Sequence, residues 1–137
     1  MEKVNVLDLA KEAIEKTLGE MDNASSIMTV IERIMYRLKI VQKFIDNPER
    51  WWNFHYEYSY YNEDAKAVAA IIGEPVYLVA DGFEDYGGVE YTLCTKEGLI
   101  DMLEGCNCES IEEYENEYGL IFEFKPEKEK SLLYLRC

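Results

Sequence analysis

Residues 76–95, VYLVADGFEDYGGVEYTLCT, contain two apolar runs joined by a glycine-rich segment, and this stretch decides the fold class. The runs Val76–Ala80 and Val89–Thr95 are rich in the β-branched and aromatic residues that are typical of strands. Between them, residues 81–88 hold three glycines and three acidic residues, a composition typical of a hairpin connection. The stretch therefore predicts two neighbouring strands joined by a hairpin.

Three other segments also have the pattern of strands. In residues 51–61, WWNFHYEYSYY, aromatic side chains occupy alternate positions, which indicates a strand with one aromatic face. Leu120–Phe124 and Leu132–Arg136 are short apolar runs near the C-terminal end of the chain, joined by a charged turn. We therefore expect about five strands, in an antiparallel or mixed sheet.

Helices are predicted on both sides of the hairpin. Apolar residues recur at steps of three and four in residues 6–21 and 25–46, which predicts two amphipathic helices that form an αα-hairpin. Thr95 and Ser110 are predicted caps of later helices, and Gly73 is a predicted helix end. The three short helices are predicted at 65–72, 96–104 and 111–118.

These elements together predict an α+β fold. We expect a single domain over residues 1–137, because this length is close to the commonest domain size and 48% of the residues are hydrophobic. Within it, residues 1–48 form the helical hairpin and residues 49–137 form the sheet region, with the short helices on one face of the sheet. The hairpin is also a candidate surface for homodimer formation.

The chain is strongly acidic. It has 28 Asp and Glu residues against 14 Lys and Arg, and a formal net charge of −14. A negative field opposes contact with nucleic acid and anionic lipid and attracts basic protein surfaces, so we expect no direct nucleic-acid partner and no membrane partner. The sequence shows no export signal and no apolar run long enough to cross a bilayer, and we expect a cytoplasmic protein with free thiols.

The acidic residues are densest in the segment of the two later helices. Like charges repel at this density, and a surface that served only solubility is expected to mix both signs, so the cluster suggests a binding role. Tyrosines are common in interface cores, which makes Tyr114 and Tyr118 candidate anchors. The predicted partner-binding carboxylates are Asp101, Glu104, Glu109, Glu112, Glu113, Glu115 and Glu117, extended by Glu84 and Asp85 of the hairpin connection.

In charge and composition the chain resembles the acidic DNA-mimic proteins with which mobile elements inhibit restriction or CRISPR-type nucleases. The resemblance is an analogy of charge, since no sequence motif of such a family is present. It implies an inhibitor or sequestering protein that occupies the basic groove of a nuclease or another nucleic-acid-binding protein.

A second hypothesis concerns a small ligand. Residues 25–50 carry five basic and three acidic residues, in contrast to the rest of the chain. Around a pocket, these arginines and the aromatic strand would hold an anionic or planar molecule, in a protein that binds or sequesters ligand as an oligomer. The residues of this alternative site are Arg33, Arg37, Trp52, Tyr56 and Tyr58.

Neither catalysis nor a cofactor is indicated. His55 is the only histidine and lies among aromatic residues, where a packing role is favoured. Cys106 and Cys108 form one C-x-C pair and the other two thiols are isolated, whereas a structural zinc site usually has two pairs of ligands, each with a spacing of two to four residues. We therefore expect a protein that is not an enzyme and that has no metal or cofactor.

Overall fold

The computed structural model describes residues 5–46, 52–54, 61–81 and 90–136, and everything below concerns these residues. They form an α+β structure, which confirms the predicted class. Along the chain the elements are α1 (Val6–Glu20), α2 (Ala24–Asp46), β1 (Trp52–Phe54), α3 (Tyr61–Ile72), β2 (Val76–Asp81), β3 (Glu90–Thr95), α4 (Lys96–Gly105), α5 (Ile111–Glu117), β4 (Gly119–Phe124), a 3₁₀ turn (Lys128–Lys130) and α6 (Ser131–Arg136).

The four strands form one antiparallel sheet in the order β1-β3-β2-β4. The predicted hairpin of residues 76–95 supplies the two central strands, in a register that places Leu78 opposite Leu93. On its other side, β2 pairs with β4, and Leu78 faces Phe122. The hairpin thus forms the middle of the sheet, with a shorter or more exposed strand on each side.

The two faces of the sheet are covered by different helices. Val76 and Leu78 of β2 face a larger core built with α1, α2, α3 and α6, while Tyr77 and Val79 face a smaller core built with α4 and α5. Every residue from Val76 to Ala80 is buried. The prediction that the helices lie on one face is therefore wrong, because the central strand buries side chains on both sides.

The short-range signals in the sequence are confirmed. Thr95 caps α4 by accepting a hydrogen bond from the Gly98 amide at 3.4 Å, and Ser110 caps α5 by accepting one from the Glu113 amide at 3.2 Å. Gly73 ends α3 with a φ of 72°, in the left-handed region that favours glycine. These features involve residues a few positions apart, so they were visible in the sequence.

The predicted fifth strand is wrong. Residues 132–136 belong to α6, which packs against α3 and α2. A segment of five residues with four apolar side chains fits a strand or a buried helix equally well, and here the tertiary contacts select the helix. Leu135 is fully buried in the larger core, and arginines of α2 bind the last carbonyls of α6.

The predicted aromatic strand is described only in part. Trp52–Phe54 pairs with Tyr91–Leu93 as β1, while residues 55–60 lie outside the described residues. Across the described ranges, no helix has both the length and the apolar character required to span a bilayer.

Candidate protein-binding surface

The seven predicted carboxylates of the later helices lie in a single layer of the fold. They belong to α4, to α5 and to the turn between these helices, which together cover the face of the sheet with the smaller core. All of them are exposed except Glu115, which is half-buried. We call this set the acidic surface: Asp101, Glu104, Glu109, Glu112, Glu113, Glu115 and Glu117.

Helical periodicity turns the carboxylates of α4 towards solvent. Leu99 and Met102 are buried against the sheet. Asp101, between them in the sequence, and Glu104, two residues after Met102, are exposed. The helix ends in a tight turn in which Asn107 has a φ of 56° and the Cys108 amide donates to the Leu103 carbonyl at 2.8 Å. This turn allows α5 to continue on the same face of the sheet.

The acidic surface has little neutralising charge of its own. Residues 96–118 contain eight carboxylates and one basic residue, Lys96. The ion pairs found in the described part of the chain join Arg37 to Asp64, Lys130 to Glu127 and Arg136 to Glu20, and none involves the acidic surface. The surface therefore projects a negative field.

Two members of the surface also stabilise the fold. Glu113 Oε2 accepts a hydrogen bond from the Glu109 amide at 2.9 Å, at the start of α5. Glu115 Oε2 accepts one from the Ile121 amide of β4 at 3.3 Å. Because these carboxylates are held by backbone amides, replacing either one would test the stability of the fold as well as binding.

The two predicted tyrosine anchors have different environments. Tyr114 is only 2% exposed and lies in the smaller core, so the prediction that it is a surface anchor is wrong. Burial and the neighbouring Asp81 carboxylate raise the pKa of its hydroxyl. Tyr118 is 36% exposed and its ring stacks on that of Tyr114 at 5.2 Å, so the buried ring supports the exposed one.

Two exposed isoleucines among the carboxylates were missed by the sequence analysis. Ile100 of α4 is 47% exposed, and Ile111 at the start of α5 is 36% exposed. A helical projection of α4 could have indicated that Ile100 is exposed. Ile100 follows Leu99 directly, so it lies about 100° away from the buried side of the helix. With Tyr118, these side chains place apolar area within the acidic surface.

Glu84 and Asp85, the predicted extension of the acidic surface, lie outside the described residues. The same holds for His55 and for Tyr56 and Tyr58 of the alternative ligand site. Trp52 belongs to β1, where its backbone pairs with Leu93.

Arg37, a central residue of the alternative ligand site, is used inside the fold. Arg37 is fully buried: its Nε donates to Asp64 Oδ1 at 2.7 Å, and its Nη1 donates to the carbonyls of Tyr134 at 2.6 Å and Leu135 at 3.2 Å. Arg33, one turn earlier, donates to the Arg136 carbonyl at 3.3 Å. The prediction that Arg37 binds a ligand is wrong, since both arginines bind the C-terminal end of α6.

Burial dominates the electrostatics of this ion pair. It raises the pKa of Asp64, while the hydrogen bond and the charge of Arg37 act in the opposite direction. Arg37 Nη2 and Asp64 Oδ2 are buried without a hydrogen-bond partner in the described ranges. The pair is therefore costly to bury and costly to break.

The described thiols are free, and each lies on the side of the smaller core. Cys94 is fully buried, which raises its pKa to about 12, and Cys106 is half-exposed in the turn after α4. Within the ranges that the structure covers, no cluster of three or more His, Cys, Asp or Glu side chains has a geometry that could hold a metal ion.

Comparisons with protein-family models, with curated proteins and with solved structures found no match to this chain.

Proposed function

We propose that this protein acts by binding rather than by catalysis, and that the acidic surface occupies a basic groove on a nucleic-acid-binding protein such as a nuclease. Occupation of the groove would inhibit or sequester the partner in the manner of an anti-restriction or anti-CRISPR protein. The observation that carries the proposal is the position of the seven carboxylates in the α4–α5 layer, where no ion pair between described residues neutralises them.

The exposed carboxylates of the acidic surface favour a basic partner. Carboxylates exposed on one layer act together on a basic partner, accelerate encounter and disfavour partners of the wrong sign. A groove that binds nucleic acid is lined by Lys and Arg, and these groups pair with carboxylates as they do with phosphates. The partner chemistry that fits the surface is therefore a cluster of basic side chains.

The exposed apolar side chains within the acidic surface favour a protein partner. Ile100, Ile111 and Tyr118 are exposed within the acidic surface. Exposed apolar side chains do not improve solubility, whereas apolar and aromatic residues in the centre of a patch are typical of protein interfaces. The combination favours binding of a protein partner over a purely solubilising role.

The experiment uses the intact chain as bait in a host lysate and asks whether excess duplex DNA releases the captured protein. Release is expected, because the bait and DNA compete for the same basic groove. Higher salt is expected to weaken the complex, since the exposed charges become screened.

A charge-matched pair of variants makes the test specific. Asp101→Asn, Glu104→Gln and Glu117→Gln together remove three charges from the acidic surface and leave the hydrogen-bonded Glu113 and Glu115 intact. We expect this triple variant to weaken binding by about tenfold, since three rim charges contribute about 1–2 kcal/mol together. The result is read against a control with the same change in net charge.

The control replaces exposed carboxylates outside the acidic surface. Glu12→Gln, Asp22→Asn and Glu129→Gln also remove three charges, on α1, on the turn before α2 and on the 3₁₀ turn. This control is expected to bind almost as well as the unmodified chain. Equal binding by both triple variants, or a captured partner that DNA does not displace, would contradict the proposal.

A further inference from the structure

The strand β4 lies at one edge of the sheet formed by the described residues. It pairs with β2 on one side, and no other strand in the described ranges pairs with it. Two large apolar side chains of β4 are exposed: Leu120 is 52% and Phe122 is 45% exposed. An exposed apolar edge strand tends to pair with a strand of another molecule, because its outer row of backbone N–H and C=O groups is accessible.

The sequence of β4 has the same tendency. Residues 120–124, LIFEF, contain four apolar side chains and one charge, Glu123. Short apolar segments with little charge have the composition of strands that associate between molecules. Lys125 and Pro126 follow the segment directly, and both residue types limit strand pairing at edges. They protect the end of the strand, and a different feature is needed to protect its middle.

A side chain of α5 reaches the middle of β4. Glu115 Oε2 accepts a hydrogen bond from the Ile121 amide at 3.3 Å. In an antiparallel ladder, alternate residues direct their N–H and C=O groups towards the neighbouring strand, and the residues between them direct these groups away. Because the Ile121 amide binds a side chain of α5, it is one of the amides directed away from β2. Glu115 therefore occupies the outer edge of β4.

The packing of α5 holds Glu115 in this position. Tyr114, the preceding residue, is buried in the smaller core, and α5 packs against β4. Tyr118 alone separates the end of α5 from the start of β4, so the helix and the strand cannot move far apart. Glu115 is also half-buried, whereas the other members of the acidic surface are exposed. Its environment thus differs from that of a carboxylate that extends freely into solvent.

The pattern of β4 suits antiparallel pairing with β4 of a second copy of this chain. A two-fold axis through Phe122, perpendicular to the sheet, places Ile121 opposite Glu123 of the second copy. It also places Leu120 opposite Phe124 of the second copy. Opposite residues then lie on the same face of the sheet, as a regular register requires, and the exposed apolar side chains of the two copies come together.

This pairing needs the amide that Glu115 binds. Ile121 and Glu123 direct their backbone groups away from β2, so they form the hydrogen-bonded pairs between the two copies. In each pair the Ile121 amide donates to the carbonyl of the opposite strand. A carboxylate that already accepts from this amide removes that hydrogen bond and places a charge beside the incoming strand.

We propose that Glu115 is an edge-blocking residue, whose carboxylate holds the outward amide of Ile121 and prevents β4 from pairing with β4 of a second copy. Charged side chains at sheet edges are a common means by which proteins prevent such association. The role does not depend on the proposed function, because the triple variant that tests binding leaves Glu115 unchanged. The two proposals can therefore fail separately.

Three substitutions at Glu115 separate the reach of the side chain from its charge. Glu115→Ala removes the acceptor, and Glu115→Asp keeps the charge on a side chain one methylene shorter, so both lose the bond to Ile121. Glu115→Gln loses the charge and keeps an acceptor at the same reach. Sedimentation velocity at high salt, which screens the repulsion between chains of net charge −14, measures the mass of each variant. The Ala and Asp variants are expected to form larger species than the unmodified chain, and the Gln variant is expected to match it.

Hydrogen exchange measures the contact itself. In Glu115→Ala, at a concentration too low for association, the Ile121 amide is expected to exchange at least about tenfold faster than in the unmodified chain. The Phe122 amide is directed towards β2 and is expected to keep its rate. A local change of this kind distinguishes loss of one hydrogen bond from general destabilisation.

Two controls make the test specific to the edge of β4. Glu117→Ala removes one charge from the same helix and is expected to leave the mass unchanged. Glu115→Ala/Phe122→Lys places two like charges at the two-fold axis and is expected to restore the mass of the unmodified chain. Circular dichroism checks that each variant keeps its helices, and Glu115→Asp replaces Glu115→Ala if the Ala variant does not fold.

The edge-blocking role is overturned if folded Glu115→Ala and Glu115→Asp variants both keep the mass of the unmodified chain. Association of Glu115→Gln or Glu117→Ala to the same extent as Glu115→Ala would also overturn it, because the effect would then follow charge and not the bond to Ile121. Association that persists in Glu115→Ala/Phe122→Lys would show that β4 is not the contact.

Discussion

The two faces of the sheet are stabilised in different ways, although one strand, β2, supplies side chains to both. On one face, four helices cover a large apolar core that also contains the Arg37–Asp64 ion pair. On the other, two short helices cover a small core, and their outer side carries the acidic surface. The larger core buries more apolar side chains and is therefore expected to contribute more of the stability, while the smaller layer carries the exposed like charges.

The largest expected effect concerns the buried ion pair of the larger core. Arg37→Met leaves Asp64 and the carbonyls at the end of α6 buried without their donor, and we expect a loss of about 3–5 kcal/mol in the free energy of unfolding. Urea unfolding followed by circular dichroism measures this loss. The double variant Arg37→Met/Asp64→Leu removes both charges and should recover most of it; a double variant as unstable as Arg37→Met would contradict the account.

The next largest effect on the free energy of unfolding is expected from a cavity in either core. Leu78→Ala, in the larger core, should cost about 3–4 kcal/mol, and Leu99→Ala, in the smaller core, about 2 kcal/mol. The difference is expected because a cavity under two short helices collapses more easily than one enclosed by four. Equal losses for the two variants in urea unfolding would show that the two layers contribute alike.

A smaller effect on stability is expected when the pH is raised, because of the buried Cys94 thiol in the smaller core. Burial raises the pKa of Cys94 from 9.0 to about 12, so above pH 9 the unfolded chain loses this proton while the folded chain keeps it. Stability should therefore fall as pH rises from about 9 to 12, by about 1.4 kcal/mol at pH 10. Thermal unfolding over this pH range measures the change, and Cys94→Ala should flatten the profile.

The smallest effect concerns the charges of α5. Glu117 is the last residue of this helix, where a negative charge faces the negative end of the helix dipole, so Glu117→Gln should stabilise the fold by about 0.3–0.5 kcal/mol. Glu112 lies in the first turn, and Glu112→Gln should cost a similar amount. A pair of urea unfolding curves measures both changes, and shifts of the same sign would show that local helix electrostatics do not govern this surface.

Much of the fold was predictable because its signals are local. Thr95, Ser110 and Gly73 act on neighbours within a few residues, and the hairpin of residues 76–95 joins strands that are adjacent in sequence. The helical conformation of residues 132–136 was not predictable from local signals. The arginines that bind the end of α6 precede it by about a hundred residues, and only the folded chain brings them together.

The clustering of charges in the candidate site was predictable from the sequence, whereas the burial of Tyr114 was not. A cluster of acidic residues in consecutive short helices remains a cluster after folding, because the helices are adjacent in sequence. Burial of Tyr114 depends on how α5 rotates against the sheet, which the short helix does not reveal by periodicity. The exposure of Ile100 and Ile111 depends on the same packing.

The sequence by itself determined the α+β class, the central hairpin, the helix caps and the concentration of negative charge, because each depends on composition or on residues a few positions apart. The tertiary structure alone decided that both faces of β2 are buried, that residues 131–136 form a helix, and that Arg37 lies in the core rather than in a ligand site. Those outcomes depend on which surfaces meet across long sequence separations, and the free energy of that packing exceeds the local preferences of any single segment.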